Sequence, residues 1–213
     1  MSQHVIVVGA GGHARVVIDI LRASKHIAAG LFDDDPSLAD QTIRGVKVHG
    51  KVGELVAHAR RNGQRHFIVA IGNNATRLRI AGELTAAGLI PFTAIHPSAI
   101  VAPGVAIGGG TVVMAGACIN ADARLGEHVI VNTRAAIDHD CVIGDGAHIG
   151  PGVTLCGDVQ VGARTLIGVG ACAIPGMRIG SDAVVGAGAA VVDAVADGAK
   201  VGGVPARPLA GKS

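Results

Sequence analysis

The sequence divides into an α/β segment with a small parallel sheet over residues 1–94, a parallel β-helix over residues 95–192, and a capping tail over residues 193–213. Three observations lead there. An apolar residue recurs at every sixth position through the second half without an insertion. Aromatic residues make up only 1% of the chain. The first half instead alternates short apolar runs with helical patterns.

In the first half, Val5-Ile6-Val7-Val8 reads as a short apolar strand, followed by the glycine-rich turn Gly9-Ala10-Gly11-Gly12. A helix is expected next, with Ala14, Val16, Val17, Ile20 and Leu21 on its packed side. A second strand, Ala28 to Phe32, runs into Asp33-Asp34-Asp35-Pro36. A helix at Glu54 to Arg61, a strand at Phe67 to Ile71 and a helix at Thr76 to Ala87 complete a βαβ pattern, which implies a parallel sheet with helices on its faces. Phe92 to Ile95 is the last strand expected before the repeats.

Gly9-x-Gly11-x-x-Ala14 satisfies the loose form of the dinucleotide fingerprint, and Asp33 follows at the distance that rule asks for. Glycines let backbone amides approach a phosphate, and a helix N-terminus favours the anion. A carboxylate after the next strand can bind a hydroxyl or a base edge. The segment is too short for two mononucleotide halves, which disfavours NAD and favours a nucleotide joined to something else. A tight strand-to-helix turn without a ligand is the alternative.

The repeat runs through Ile95, Val101, Ile107, Val113, Ile119, Leu125, Val131, Ile137, Ile143, Ile149, Leu155, Val161, Ile167, Ala173, Ile179, Val185 and Val191, with Ala173 the one departure. Two residues before each, from Ala99 to Ala189, stands a small or modest side chain, Met177 being the largest. A period of six matches stacked short strands and no helical face. A core of thin aliphatic layers suits a chain with no Trp or Tyr, and 33 glycines suit a corner every few residues. The turn-like Gly202-Gly203-Val204-Pro205-Ala206-Arg207 is expected to cap the open end, where a bare strand edge would be a liability.

A net charge of +2 without a block of like charges argues against nucleic acid or a membrane surface. Apolar stretches fall far short of the roughly 18 residues a spanning helix needs, and no signal-peptide layout is seen, so a cytoplasmic protein is expected. Cys118, Cys141, Cys156 and Cys172 form no CxxC pair. They read as free buried thiols, and no metal is expected.

If three hexapeptides make one coil, residues 18 apart are vertical neighbours about 4.8 Å apart. His139 then stands at a corner between Ala121 and Gly157, with room on both sides of its imidazole. Asp140 falls in a ladder with Asp122 and Asp158, and Asp138 and Asp140 flank the histidine. A neighbouring carboxylate orients an imidazole and raises its basicity, which suits a general base. A surface histidine on a turn is the bland alternative. His148 is placed to share the same groove, and His13 lies on the glycine turn. His4, His26, His49, His58, His66 and His128 read as solvated.

GAGGHA at 9–14, Asp33-Asp34, AIGNN at 70–74, IHPSA at 95–99, VNT at 131–133, IDHDCVIG at 137–144 and GVPAR at 203–207 together resemble the NeuD/PglD-type sugar O- and N-acetyltransferases. The resemblance covers nearly the whole chain. It implies a small Rossmann-like domain before a left-handed β-helix, a homotrimer, and acetyl-CoA held between neighbouring β-helices. It gives His139 the role of general base, with Asp140 raising its basicity. Acetyl-CoA contacts fall on His148, Gly157, Val169 and Ala187, with the Gly157 amide meeting the thioester oxygen. Nucleotide-sugar contacts fall on Gly11, Gly12, His13, Asp33, Asp34 and Gly72.

The expected function is acetyl-CoA-dependent N-acetylation of a nucleotide-linked 4-amino sugar by direct attack of the amine. The paired acids resemble members that bind uracil, so a UDP-linked, bacillosamine-type sugar comes first. A GDP-perosamine type comes second and sialic acid O-acetylation third. Rival classes are a small-molecule acetyltransferase sharing only the β-helix, a non-catalytic nucleotide-binding β-helix protein, and an NAD-dependent enzyme.

Overall fold

The computed structural model describes residues 2–209 and forms two compact units that divide between Pro97 and Ser98. In the first unit, β1 (His4–Val8), β2 (Ile27–Phe32), β3 (Thr42–Ile43), β4 (Val46–Gly50), β5 (His66–Val69) and β6 (Ile90–Pro91) make one sheet in the order β3-β4-β2-β1-β5-β6. Every neighbouring pair is parallel except β3 with β4. Helices α1 (Gly12–Ala23), α2 (Leu55–Arg61) and α3 (Asn74–Ala86) follow β1, β4 and β5. The chain moves from β1 to β2 on one side and from β5 to β6 on the other. The carboxyl ends of β1 and β5 therefore bound the crevice where such sheets bind ligands.

Ile6, Val8, Phe32, Phe67 and Val69 from the sheet pack with Leu55 and Ala59 of α2 and Ile80, Ala81 and Leu84 of α3. On α1 the packed side is Ala14, Val17, Ile18, Ile20 and Leu21. Val16, expected inside, is 39% exposed, because Ile18 takes the inward place at this helical phase. The hairpin β3–β4 was not foreseen. Its turn residues Arg44 and Gly45 have φ of 50° and 75°, the two left-handed positions of a tight hairpin turn.

The second unit is a left-handed parallel β-helix of two-residue strands on three faces. One face carries Val112–Val113, Ile130–Val131, His148–Ile149, Leu166–Ile167 and Val184–Val185. A second carries Ile100–Val101, Cys118–Ile119, Ala136–Ile137, Thr154–Leu155, Cys172–Ala173 and Ala190–Val191. The third carries Ala106–Ile107, Arg124–Leu125, Val142–Ile143, Gln160–Val161 and Arg178–Ile179. Partners pair 18 apart, as Ala136 with Thr154 and Ile137 with Leu155. The repeat residues point inward; Ile137 and Ile149 are 1% and 0% exposed, and each such side chain contributes about 2 kcal/mol of burial.

The slots two residues earlier, such as Ala117, Ala135, Cys141 and Ala147, are also buried. The backbone of the next coil is also close to the glycines that follow the inward residues. A Cβ added at Gly144 would lie 2.6 Å from the backbone nitrogen of Ala163. Thr165 occupies one slot at no polar cost, since its hydroxyl donates to the Gly180 carbonyl and accepts from the Ala183 amide at 3.1 Å. All three phenylalanines precede residue 98 and the chain has no Trp or Tyr, so no Phe, Tyr or Trp ring enters this interior.

Every sixth residue from Gly104 to Gly188 has a left-handed φ, including Asp122, His128, Arg134, Asp140, Asp158, Arg164 and Asp182. The Asp122–Asp140–Asp158 ladder is therefore a column of corner residues, a conformation that Asp tolerates better than most. His128 was expected to be solvated; it is 4% exposed, and its ring fills the space over Gly110. Of the cysteines expected to be buried, only Cys141 is; Cys172 is exposed and the other two are intermediate.

The stacking does not stop at Val191. Ile179 bridges to Val195, and Val184 and Val185 pair with Lys200 and Val201, an offset of 16 rather than 18. The coil continues after losing two residues. The chain then folds back, with Arg207–Pro208 antiparallel to Lys200–Gly202 around a cis Val204–Pro205 bond. Residues 210–213 of the expected capping tail lie outside the described residues.

Candidate active site

His139 follows the inward Ile137 by two residues and stands on the corner after the second face. The stack predicted from the 18-residue coil is present around it. The Asp158 amide donates to the His139 carbonyl at 2.9 Å, and the Asp140 amide donates to the Ala121 carbonyl at 3.1 Å. Asp140 takes the left-handed corner position, φ 59°, and its Oδ2 lies 2.8 Å from His139 Nδ1. The bond to Asp140, then the charge of Asp138, hold the imidazole pKa above the ordinary histidine value.

Asp138 is fixed from two directions. Its Oδ1 accepts the His139 backbone amide and Nδ2 of Asn120, both at 2.8 Å. The Asn120 bond, then the backbone bond, hold its carboxyl below the usual range. Gly157, on the next coil, lies directly against the imidazole: an added Cβ would sit 2.5 Å from His139 Cε1 and 2.6 Å from Nε2. Only a glycine leaves that place to the ring. Asp138, His139, Cys156, Gly157, Asp158, Pro175 and Gly176 line an open groove of about 490 Å³. The Cys141 thiol points inward and donates to the Cys156 carbonyl at 3.2 Å, and burial pushes its pKa up, so it makes a poor nucleophile.

The structure brings His139, Asp140 and Gly157 together. It does not gather His148, Val169 and Ala187 with them. His148 sits on a strand of the first face, with its Nε2 3.0 Å from Asn132 Nδ2, and it does not line the groove of His139. Val169, 54% exposed, and Ala187, also exposed, occupy successive levels of the corner between the first and second faces, linked by the Gly188 amide on the Val169 carbonyl at 2.9 Å.

In the first unit, Gly11 caps α1 and Gly12 begins it. A Cβ on Gly11, Gly12 or Gly72 would meet nothing within 4 Å, so the space above all three is open. Gly9 differs: its φ is 99° and a Cβ would lie 2.9 Å from the Ala70 carbonyl, because the ends of β1 and β5 approach closely. His13 is half-buried in the first turn of α1. Asp33 Oδ2 accepts the Ala10 amide at 2.7 Å and its Oδ1 accepts the Asp35 amide at 2.9 Å. Asp34 Oδ1 accepts the Val52 amide at 2.9 Å. Both acids thus shape the loops around the crevice. A carboxylate has about four acceptor sites, so each keeps capacity for a ligand.

Two features of the sites were missed from sequence. Arg77 is 1% exposed, with Nη1 donating to the carbonyls of Ile71 and Gly72 at 2.9 and 3.2 Å and Nη2 to Asn74 Oδ1 at 2.8 Å. Burial pushes its pKa down to about 10. The guanidinium therefore ties the β5–α3 loop that carries Gly72. The other is the Asn120–Asp138 bond, which the 18-residue stacking rule would have found had it been applied to Asp138. Among the described residues no group of three or more His, Cys, Asp and Glu side chains gathers to hold a metal ion.

Comparison with known proteins adds to this geometry. Residues 4–84 match the PglD N-terminal domain, and residues 122–157 match the bacterial transferase hexapeptide family (six repeats). Over 115 residues the chain is 39% identical to the UDP-N-acetylbacillosamine N-acetyltransferase of Bacillus subtilis, matching 53% of this chain and 52% of that protein. The chain thus spans about half the length of that curated relative, and 25% of a similar uncharacterised mimivirus protein. Among solved structures, the acetyltransferase domain of PglB from Neisseria gonorrhoeae superposes with a TM-score of 0.91 at 38% identity, covering 98% of this chain and 100% of that one. PerB from Caulobacter crescentus, solved with CoA and GDP-perosamine, superposes with a TM-score of 0.93 at 43% identity, covering 97% of each chain. With that identity over nearly its whole length, and both parts of its architecture matched, the chain belongs to the NeuD/PglD-type sugar acetyltransferase family.

Proposed function

We propose that this protein is an acetyl-CoA-dependent N-acetyltransferase acting on the amino group of a nucleotide-linked 4-amino sugar. The observation that carries the reading is the His139–Asp140 contact at 2.8 Å, beside a groove, in a chain whose near-full-length relative PerB was solved with CoA and GDP-perosamine. With Nδ1–H donating to Asp140, the lone pair of Nε2 is free to take a proton. The sugar amine attacks the thioester carbonyl, His139 accepts the amine's proton, and CoA leaves as the tetrahedral intermediate collapses. The Gly157 amide serves as oxyanion donor, a role worth several kcal/mol in comparable sites. No covalent enzyme intermediate is required, in keeping with the inward-turned Cys141.

His148, Val169 and Ala187 hold the rest of acetyl-CoA in this reading. Val169 and Ala187 stand on a different corner from His139, which supports a homotrimer in which a corner of one chain faces a corner of the next across a shared groove. Gly11, Gly12, His13 and Gly72 receive the diphosphate and sugar in the crevice, and Asp33 and Asp34 accept from the base. Dependence on acetyl-CoA and a nucleotide sugar fits a cytoplasmic enzyme. No helix among the described residues is long and apolar enough to cross a membrane.

A UDP-linked, bacillosamine-type sugar is favoured by the paired carboxylates and by the Bacillus relative. A GDP-linked sugar of the perosamine type is the second reading, favoured by the higher identity and coverage of PerB. The test is CoA release from acetyl-CoA with UDP-, GDP- and dTDP-4-amino sugars and free sialic acid. Turnover of one nucleotide-linked amine supports the reading and names the base. Turnover of sialic acid alone would move the chemistry to oxygen and remove the nucleotide from the first unit.

A further inference from the structure

Asn120 takes no part in the chemistry above, yet it is bonded one coil below the proposed base. Its backbone amide donates to the Ile137 carbonyl at 2.9 Å, so its side chain springs from a fixed point. The Cys118 thiol lies 3.6 Å from Asn120 Oδ1, which sets the amide with its oxygen toward Cys118 and its nitrogen toward Asp138. Nδ2 then donates to Asp138 Oδ1 at 2.8 Å, the same oxygen that takes the His139 backbone amide.

We propose that Asn120 is a positioning residue for His139, acting through Asp138 by pinning the carboxylate that neighbours the imidazole. The proposal rests on the reading of His139 as the base. Asp138 and Asp140 flank His139 in the chain, and of the two only Asp140 bonds Nδ1. A carboxylate held by a single donor can rotate and compete for that ring. Two donors on one oxygen hold Asp138 in place, so the ring stays with Asp140 while the Asp138 charge remains beside it. The other charged group acting on His139 is Asp158 of the coil above. Asp122 of the coil below holds the same corner position as Asp140.

The test compares Asn120→Leu, similar in size with no donor, and Asn120→Asp, which can donate only when its new carboxyl is protonated. CoA release is followed from about pH 5.5 to 8.5, and the His139 imidazole is titrated by NMR without substrate. Asn120→Leu is expected to lower kcat about tenfold, the scale of one charge-assisted hydrogen bond, with the KM for acetyl-CoA unchanged and the His139 titration displaced. Asn120→Asp is expected to match that loss at high pH and to approach wild type as pH falls. Losses that are equal at every pH with an unmoved His139 titration would show a structural role and overturn the proposal. So would activity within about twofold of wild type in both variants. If Asn120→Leu does not fold, Asn120→Asp decides alone. If the wild type turns over no sugar, the proposed function fails, and the His139 titration still decides the role of Asn120.

Discussion

Gly157→Ala perturbs the site at its tightest point. The added methyl would lie 2.5 Å from His139 Cε1 and 2.6 Å from Nε2, where ordinary contacts begin at about 3.4 Å. The backbone of Gly157 is not in the left-handed region, so the substitution brings no backbone strain. The imidazole must therefore move by roughly 1 Å, away from Asp140 and from any amine aligned with Nε2. A displacement of that size in a catalytic group is worth about 10²-fold in rate. The assay is steady-state CoA release, with acetyl-CoA affinity measured separately by calorimetry and Tm recorded as a control. We expect kcat to fall about 100-fold, with acetyl-CoA still bound and Tm within about 2 °C of wild type. Unchanged kcat would refute the reasoning, since the ring could not then occupy the space over Gly157 during turnover.

Asp140→Asn takes the carboxylate charge out of the contact that raises the His139 pKa, so the acidic limb of the kcat/KM profile should move to lower pH while the plateau falls; an unmoved limb would detach Asp140 from the base. Because the folded-state value is raised, the stability it contributes is present below the ordinary histidine pKa and lost as pH rises through the raised one, and Asp140→Asn should reduce that pH dependence in thermal melts, with the charges of Asp138 and Asp158 keeping the remainder. Arg77→Met leaves the Ile71 and Gly72 carbonyls without their donor, which should cost about 1–3 kcal/mol and several degrees of Tm. It should also raise the KM for the nucleotide sugar more than it lowers kcat. Thr165→Val orphans the Gly180 carbonyl and the Ala183 amide inside the β-helix and should destabilise by about 1–3 kcal/mol in denaturant melts, with KM values unchanged.

The parts of the fold written as a period were legible. Inward positions from Val101 to Val191 could be read because a stacked core demands one apolar residue per strand, and His139 could be placed between Ala121 and Gly157 by counting. What escaped depended on geometry that no single residue type encodes. The left-handed corners are filled by Gly, Asp, Arg and His, so their six-residue recurrence is invisible in residue type. The coil through Val195 and Val201 was lost because two residues drop out of the count after Val191. Arg44-Gly45 makes the kind of turn for which Asn-Gly is the strong signal, and Arg gives none. In the crevice, the glycine turn and acidic pair stood out by composition. The burial of Arg77 did not, since an arginine in a helical pattern reads as solvated.

The pairing of residues 18 apart restricts how this chain could have changed length. Adding or removing one hexapeptide between Asn120 and Asp138 would part that pair, and one between His139 and Gly157 would part that pair, because every later strand would move to the next face. The two-residue shortening lies after Val191, beyond the last residue that lines the groove of His139. Irregularity is thus confined to where the stack has no further chemistry to keep in register.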